Sequence, residues 1–465
     1  MHMWSTALRR TCLIAAATAL AMPTVAGAQV AEPTFAKDIA PIFQARCQSC
    51  HRPGEMAPMA LRTYQEVRPW VRSIRNKVSK GEMPPWFIDR TIGIQKYKND
   101  ASLTAAEIAT IVRWVDGGAR EGNAADLPAP KPFPDSKGWG IGTPDLVVSQ
   151  EEPFKMYAAG SDWWDTFTVD SGLTEDRWVK AVQLKPENAK IVHHFCAGIV
   201  PPGARPVTAG GVVGPPDQYA EDLLRAAEDE RRLAGESNVG NGTPSFGCYL
   251  PGRAALVLPD DTGILMRAGS RVSFQMHYSA SGEEGIDRSS VGFLFYPKDV
   301  TPKNQIMGVY FQKFPAFEID IPPNARVEHD AYFPLQRPTR LLSFTPHMHM
   351  RGIALVLEAI LPSGRVQTLA GVDNYDFNWQ LEYIFDDDSA PLLPAGTMLH
   401  AVTVHDNTSA NPRNPDPNRW VGYGQASIEE MAGTFISWVY LDDAEYRRQL
   451  GERAARERER QSQQP

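Results

Sequence analysis

Residues 340–352 read Arg340-Leu341-Leu342-Ser343-Phe344-Thr345-Pro346-His347-Met348-His349-Met350-Arg351-Gly352. The first five read as a strand, and two histidines follow at a spacing of two. In a strand, residues i and i+2 point to the same side. His347 and His349 therefore aim two imidazoles at one point, with Met348 turned to the opposite face. That is half of a metal site on a β-scaffold. The plain alternative is two histidines that face solvent or find hydrogen bonds. The choice depends on whether the rest of the chain supplies further ligands.

Working outward, the same alternation recurs from 146 to 442. Examples are Thr166-Phe167-Thr168-Val169, Trp178-Val179-Lys180-Ala181-Val182-Gln183-Leu184 and Val291-Gly292-Phe293-Leu294-Phe295-Tyr296. Turn residues separate these runs, and 38 prolines and 36 glycines favour strands and turns over long helices. The pattern predicts one or two antiparallel β-sandwiches. With 465 residues, 43% of them hydrophobic, the chain can bury the cores of two or three domains. A net charge of -8 and the lack of a long basic run exclude a nucleic-acid partner.

The first 28 residues read as a secretory signal: Arg9 and Arg10, an apolar run from Leu13 to Ala21, and the small-residue site Ala26-Gly27-Ala28. The apolar run is short for a membrane span, and no other stretch is apolar enough for one. The expectation is an exported protein, periplasmic or secreted, with no integral membrane segment in the mature chain. Of five cysteines, Cys12 leaves with the signal. In an oxidising compartment Cys196 and Cys248 can form a disulfide.

The other two cysteines lie in Cys47-Gln48-Ser49-Cys50-His51, the c-type haem attachment motif. Both thiols add to haem vinyl groups and the imidazole ligates the iron. The alternative is a redox Cys-x-x-Cys followed by a chance histidine. Thr34 to Arg46 reads as largely helical, with Pro41 in a first turn and a regular helix from near Ala40. The sixth iron ligand is commonly Met in such domains. Met83, in Gly81-Glu82-Met83-Pro84-Pro85-Trp86, is preferred to Met59; Met56 and Met59 follow His51 too closely to reach the opposite haem face easily. Simple core filling is the alternative for each. Thr104-Ala105-Ala106-Glu107 is a capping box that opens a last helix, stopped at Gly117-Gly118. Residues 33–120 thus resemble a class I cytochrome c domain, which implies a small all-α unit carrying covalent haem c. A Pro-rich linker follows at 121–145.

Beyond His51, the histidines cluster. His193-His194 is an adjacent pair, His277 sits in Phe274-Gln275-Met276-His277-Tyr278, and His347 and His349 form the opening pair. Imidazole suits copper, zinc and iron, and the lack of nearby carboxylate ligands argues against a non-haem iron triad. In order, Val192-His193-His194, Gln275-Met276-His277-Tyr278, Pro346-His347-Met348-His349 and Glu429-Glu430-Met431 resemble the motifs of the copper type II, ascorbate-dependent monooxygenases. Dopamine β-hydroxylase and peptidylglycine α-hydroxylating monooxygenase belong to that family. Gly422-Tyr423-Gly424 and the run Asp373-Asn374-Tyr375 through Trp379-Gln380 also fall where the family has similar segments. The resemblance covers about residues 150–440.

It implies two all-β, jelly-roll-like copper domains, here 146–300 and 301–442. It implies a first, electron-storing copper on His193, His194 and His277. It implies a second copper on His347, His349 and Met431, where O2 binds and a substrate C–H bond is attacked. Met398 is a weaker candidate for the thioether. The family has a cystine near the position of Cys196 and Cys248; its other cystines find no counterparts here. The expected reaction needs two electrons, supplied by a periplasmic donor such as an ascorbate-like reductant or a redox protein. The fused haem would relay them to the first and then the second copper. A haem and copper electron-transfer protein, or a ligand-binding module with structural histidines, are the rival readings. The substrate, a small molecule or a peptide, is not legible. Trp163, Trp164, Tyr375, Phe377 and Trp379 could line an apolar pocket or fill a core. His400 and His405 could support the second copper or serve structure alone. The tail, 443–465, is rich in Arg and Glu and reads as a solvated helix fraying into disorder.

Overall fold

A computed structural model describes residues 32–53, 57–132, 138–160, 162–203, 245–249, 255–313, 318–424 and 426–463. The signal region, Met56 and part of the Pro-rich linker lie outside the described residues. The chain is predominantly antiparallel β-sheet with few helices.

The helical part comes first. A π-turn at Phe35–Ile39 runs into α1 (Ala40–Arg46), which begins one residue before Pro41, where the missing proline N–H costs nothing. α2 (Tyr64–Val67) and α3 (Val71–Ser79) follow, then α4 (Ala105–Asp116). Thr104 and Glu107 cap α4 reciprocally, as their spacing predicts. Phe35, Ile39, Phe43, Val67, Ile74, Ile111 and Trp114 form one small core among these elements.

Between α3 and α4 the chain leaves this core. Residues 86–99 lie along the β-structure as a strap. Ile88 bridges to Val372 and Tyr97 to Phe385. The amides of Asp89, Ile94 and Lys98 donate to the carbonyls of Gly371, Leu369 and Ile384. Trp86, Tyr97, Tyr383 and Phe385 pack ring on ring, with Trp86 and Tyr383 4.9 Å apart. The helical region is therefore fastened from within, and not by the Pro-rich segment alone.

The β-part has one long sheet and two shorter ones facing it. The strands from the first half that enter the long sheet are β1 (Leu146–Ser149), β4 (Arg177–Lys185), β8 (Thr262–Met266) and β11 (Ser290–Phe295). Those from the second are β12 (Asn304–Gln312), β15 (Thr339–His347), β18 (Tyr383–Ile384) and β22 (Gly433–Tyr440). The order is β1-β11-β4-β8-β12-β22-β15-β18, and the junction β8–β12 is parallel. Short strands complete the numbering: β7 (Leu256–Val257) and β19 (Leu392–Leu393) pair with β4 and β15, β2 (Phe154–Met156) with β10 (Gly285–Asp287), and β13 (Asp320–Ile321) with β21 (Val421–Gly422). Over the first half lies a sheet of β3 (Trp163–Asp170), β9 (Arg271–Tyr278), β5 (Val192–Val200) and β6 (Ser245–Tyr249). Over the second half lies a sheet of β14 (Arg326–Leu335), β20 (Thr397–Asp406), β16 (Gly352–Ile360) and β17 (Val366–Val372). Each facing pair encloses its own apolar core. The first core also takes Ile306, Leu342, Val439 and Leu441 from the second half.

Cys196 and Cys248 stand opposite each other on β5 and β6 and form a disulfide. The tail is α5, helical from Asp443 to Ser462, capped by Asp442. It is exposed but anchored: Glu445 meets Lys303, Arg453 donates to the carbonyl of Ala390, and Arg456 and Arg460 reach Asp388. Among the described residues no helix is long and apolar enough to cross a membrane.

Candidate metal centre

His193 and His194 are consecutive in β5, and consecutive strand residues normally point to opposite faces. A bulge resolves the conflict. Val192 pairs with Tyr278 and His194 with His277, so His193 is the extra residue and its side chain is redirected. The three Nδ1 atoms then converge. His193 and His194 are 3.1 Å apart, and each is 3.3 Å from His277. A point equidistant from three atoms at these spacings lies about 1.9 Å from each, close to the length of an imidazole–metal bond of ~2.0–2.1 Å.

Proton accounting strengthens the case. Nε2 of His277 lies 2.9 Å from Oδ2 of Asp162, and a carboxylate can only accept, so Nε2 carries the hydrogen. Its Nδ1 is then a bare lone pair aimed at two other ring nitrogens. Three neutral rings cannot all satisfy one another in this triangle, whereas a cation at its centre accepts every lone pair. Burial pushes His193 down to about 4 and His194 well below the usual imidazole range, and the neighbouring rings add to this. Burial also lowers His277, against the opposing pull of Asp162. All three are neutral at pH 7, the form that ligates. Burial works to raise the Asp162 carboxyl, yet hydrogen bonds from His277, Ser427 and Ser279 outweigh it and hold it at about 2. Trp164, opposite His277 in the β3–β9 ladder, stacks on its ring at 3.6 Å.

His347 ends β15 and His349 lies just beyond it. Their rings are 5.5 Å apart and nearly perpendicular, and Met348 is buried in the second core, as the spacing predicts. Each Nδ1 is already used. That of His347 donates to Oε1 of Gln380 at 2.6 Å, and that of His349 donates to the carbonyl of Glu429 at 3.1 Å. Both Nε2 atoms keep their lone pairs. Burial lowers His347 to about 4 and His349 well below its ordinary range.

The ladder of β15 with β22 ends at the pair His347–Gly433, two residues from Met431. The contacts that tie the Met431 segment to His349 run through its neighbours Glu429 and Glu430. The buried carboxyl group of Glu430 fastens the two segments together. It accepts the amides of His349 at 2.8 Å and Arg351 at 2.6 Å. Burial raises Glu430 to about 8, the amide hydrogen bonds resisting. Met398 sits seven residues along β20 from His405, about 23 Å at strand rise. His405 itself touches the Met431 carbonyl, so Met398 is remote from this set.

The two sets are neighbours. The rings of His194 and His347 are 6.4 Å apart, and Phe377 lies 5.3 Å from His193 and 5.6 Å from His349. Tyr375 is buried and bonds the backbone of Met348, a supporting role, whereas Trp163 is half exposed. Asp162 and the bulge were not singled out by the sequence, and Gln380 and Glu430 appeared there only inside matched segments, without the hydrogen-bonding roles seen here.

A further pair, His329 and His405, has the opposite character. The amide of Asp320 donates to Nε2 of His329, Nδ1 of His329 faces Nδ1 of His405 at 3.3 Å, and Nε2 of His405 meets the carbonyl of Met431 at 3.1 Å. This chain runs donor to acceptor without a spare lone pair. His400 lies between the carboxylates of Asp330 and Glu358 and stacks on exposed Tyr332, a structural setting.

In the helical region, Cys47 and Cys50 are not joined in a disulfide. Burial, with Cys50 and Glu107 adding, pushes the Cys47 thiol up to about 12. Nδ1 of His51 donates to the carbonyl of Met59 at 3.2 Å, which leaves Nε2 as the available ligand atom. The Met59 backbone thus meets the side of the ring away from Nε2. Met83 follows α3, its amide donating to Lys77, three residues before Trp86 begins the strap.

No protein-family model matches the chain, and no curated protein matches it in sequence. Among solved structures there is similarity to the major capsid protein P2 from bacteriophage PM2, at 9% identity, 64% of this chain, 97% of that chain and a TM-score of 0.27. Infectious bursal disease virus, Gx strain, matches at 8% identity over 65% of this chain and 74% of that chain, with a TM-score of 0.17. Likenesses at such TM-scores carry no argument about fold or function.

Proposed function

We propose that the chain is an exported copper-dependent monooxygenase that hydroxylates a substrate C–H bond with O2, with a c-type cytochrome domain at its N-terminal end. The observation that carries this reading is the convergence of three Nδ1 atoms beside two histidines that each offer Nε2. His193, His194 and His277 would hold the first copper, and His347, His349 and Met431 the second. The donor chemistry fits: the first set is all imidazole, and the second adds a thioether, which favours Cu(I). Cys47, Cys50 and His51 would hold haem c, with Met83 as the preferred sixth ligand and Met59, whose carbonyl accepts from Nδ1 of His51, as the alternative.

Copper held at both sets would supply one-electron and dioxygen chemistry, and haem c a one-electron centre. The chain's own residues do the rest. Asp162, Gln380 and the Glu429 carbonyl fix which nitrogen of His277, His347 and His349 is free. Glu430 holds the Met431 segment against the His347–His349 turn. Burial keeps every candidate ligand neutral.

The test is metal content together with oxygen uptake on the full chain, exported and matured with haem. Two coppers and one iron per chain, with reductant-dependent oxygen uptake and a hydroxylated product, are expected. Iron and copper without oxygen uptake would leave an electron-transfer protein, and iron alone a binding module.

A further inference from the structure

Asp162 lies in neither histidine set, yet it touches both regions. It precedes β3, and the pairing of Trp164 with His277 carries it to the end of β9. Its Oδ2 accepts from Nε2 of His277 at 2.9 Å. The same oxygen accepts from the hydroxyl of Ser427 at 2.9 Å. Ser427 belongs to the second half and stands four residues before Met431. A ring whose outer nitrogen donates to a carboxylate presents its inner nitrogen as a more basic ligand of fixed tautomer and orientation.

We infer that Asp162 is a positioning residue for metal binding: it fixes the His277 tautomer so that Nδ1 faces the triad, and Ser427 holds it in place from the segment that carries Met431. This rests on the reading of the triad as a metal site, not on the monooxygenase reaction. It also makes the triad depend on the second half of the chain, which contributes no ligand to it.

The test is Cu(II) titration of the full-length chain in an H347A/H349A background, where the triad is the set that remains. Affinity comes from competition with a chelator and coordination from the paramagnetic resonance spectrum. D162A is expected to weaken binding about 10- to 100-fold, the usual cost of removing such an outer partner. D162N is expected to recover part of the loss, because its amide oxygen still accepts from Nε2–H. S427A, which loosens the carboxylate but keeps it, is expected to lose less than D162A. A D162A protein that binds Cu(II) as tightly as its parent overturns the inference, as does one that D162N fails to improve. Should D162A not fold, unchanged affinity in both D162N and S427A overturns it. A parent that binds no Cu(II) defeats the metal reading of the triad instead, and the two failures are distinguishable.

Discussion

Two groups of buried histidines sit in this molecule at nearly the same ring spacing, and they have opposite capacities. In the triad, ring centroids are 4.8–5.3 Å apart, and in the His329–His405 pair they are 5.1 Å apart. In the pair, every ring nitrogen is paired, from the Asp320 amide to the Met431 carbonyl. In the triad, the outer nitrogen of His277 is spent on Asp162 and the inner nitrogens are turned on one another. Proximity of imidazoles therefore does not mark a metal site. The direction of the lone pairs does.

The largest expected effect separates the two directly. H277A should lose the metal of the triad, and H329A should keep full copper stoichiometry, measured by elemental analysis after dialysis against a weak chelator. Equal loss in both variants would collapse the distinction.

Acid unfolding gives the next. Burial depresses His193 and His347 to about 4 and His405 to about 3, whereas imidazoles in the unfolded chain titrate near 6.5. The folded values are the lower ones, so the unfolded chain takes up protons first as pH falls. The stability these groups contribute is complete above about pH 6.5 and is lost toward pH 4. The metal-free protein should lose stability across that window, followed by circular dichroism. Added copper should move the midpoint to lower pH in the wild type and less in H277A. An identical shift in both would mean the protection comes from elsewhere.

A smaller effect concerns stability alone. H329A leaves His405 with a buried nitrogen lacking its donor, at a cost of about 1–3 kcal/mol in denaturant unfolding. The smallest concerns Trp164, whose stack on His277 contributes about 0.5–1.5 kcal/mol beyond its burial. W164L should lower stability by about that much in double-mutant cycles with His277. No coupling between the two positions would remove the stack from the account.

The spacing of His347 and His349 was readable because it is local: residues two apart in extended chain share a face, even with His349 just past the end of β15. The capping box at Thr104 and the helix start at Ala40 were readable for the same reason. His193 and His194 were readable as a site only through the family resemblance, because alternation alone would aim them apart. Their convergence needs the bulge, and the bulge is a property of the pairing with β9, where His277 lies 83 positions on from His194. Asp162 and Ser427 meet across 265 positions, and no pattern in a single chain reports that. The strap at 86–99 escaped for another reason. Its single glycine and scattered polar residues look like an ordinary loop, and only its partners on β17 and β18 reveal an element docked on the second core.

The parallel junction of β8 with β12 has a practical consequence. Cutting the chain near residue 300 would not release two modules. The first half would lose Ile306, Leu342, Val439 and Leu441 from its interior and acquire a raw sheet edge at β8. The second would acquire the matching edge at β12. Exposed edges of this kind template association with other chains. Either fragment made alone should aggregate, and co-expressed halves should recover one another, so the unit of folding is the whole β-part rather than its sandwiches.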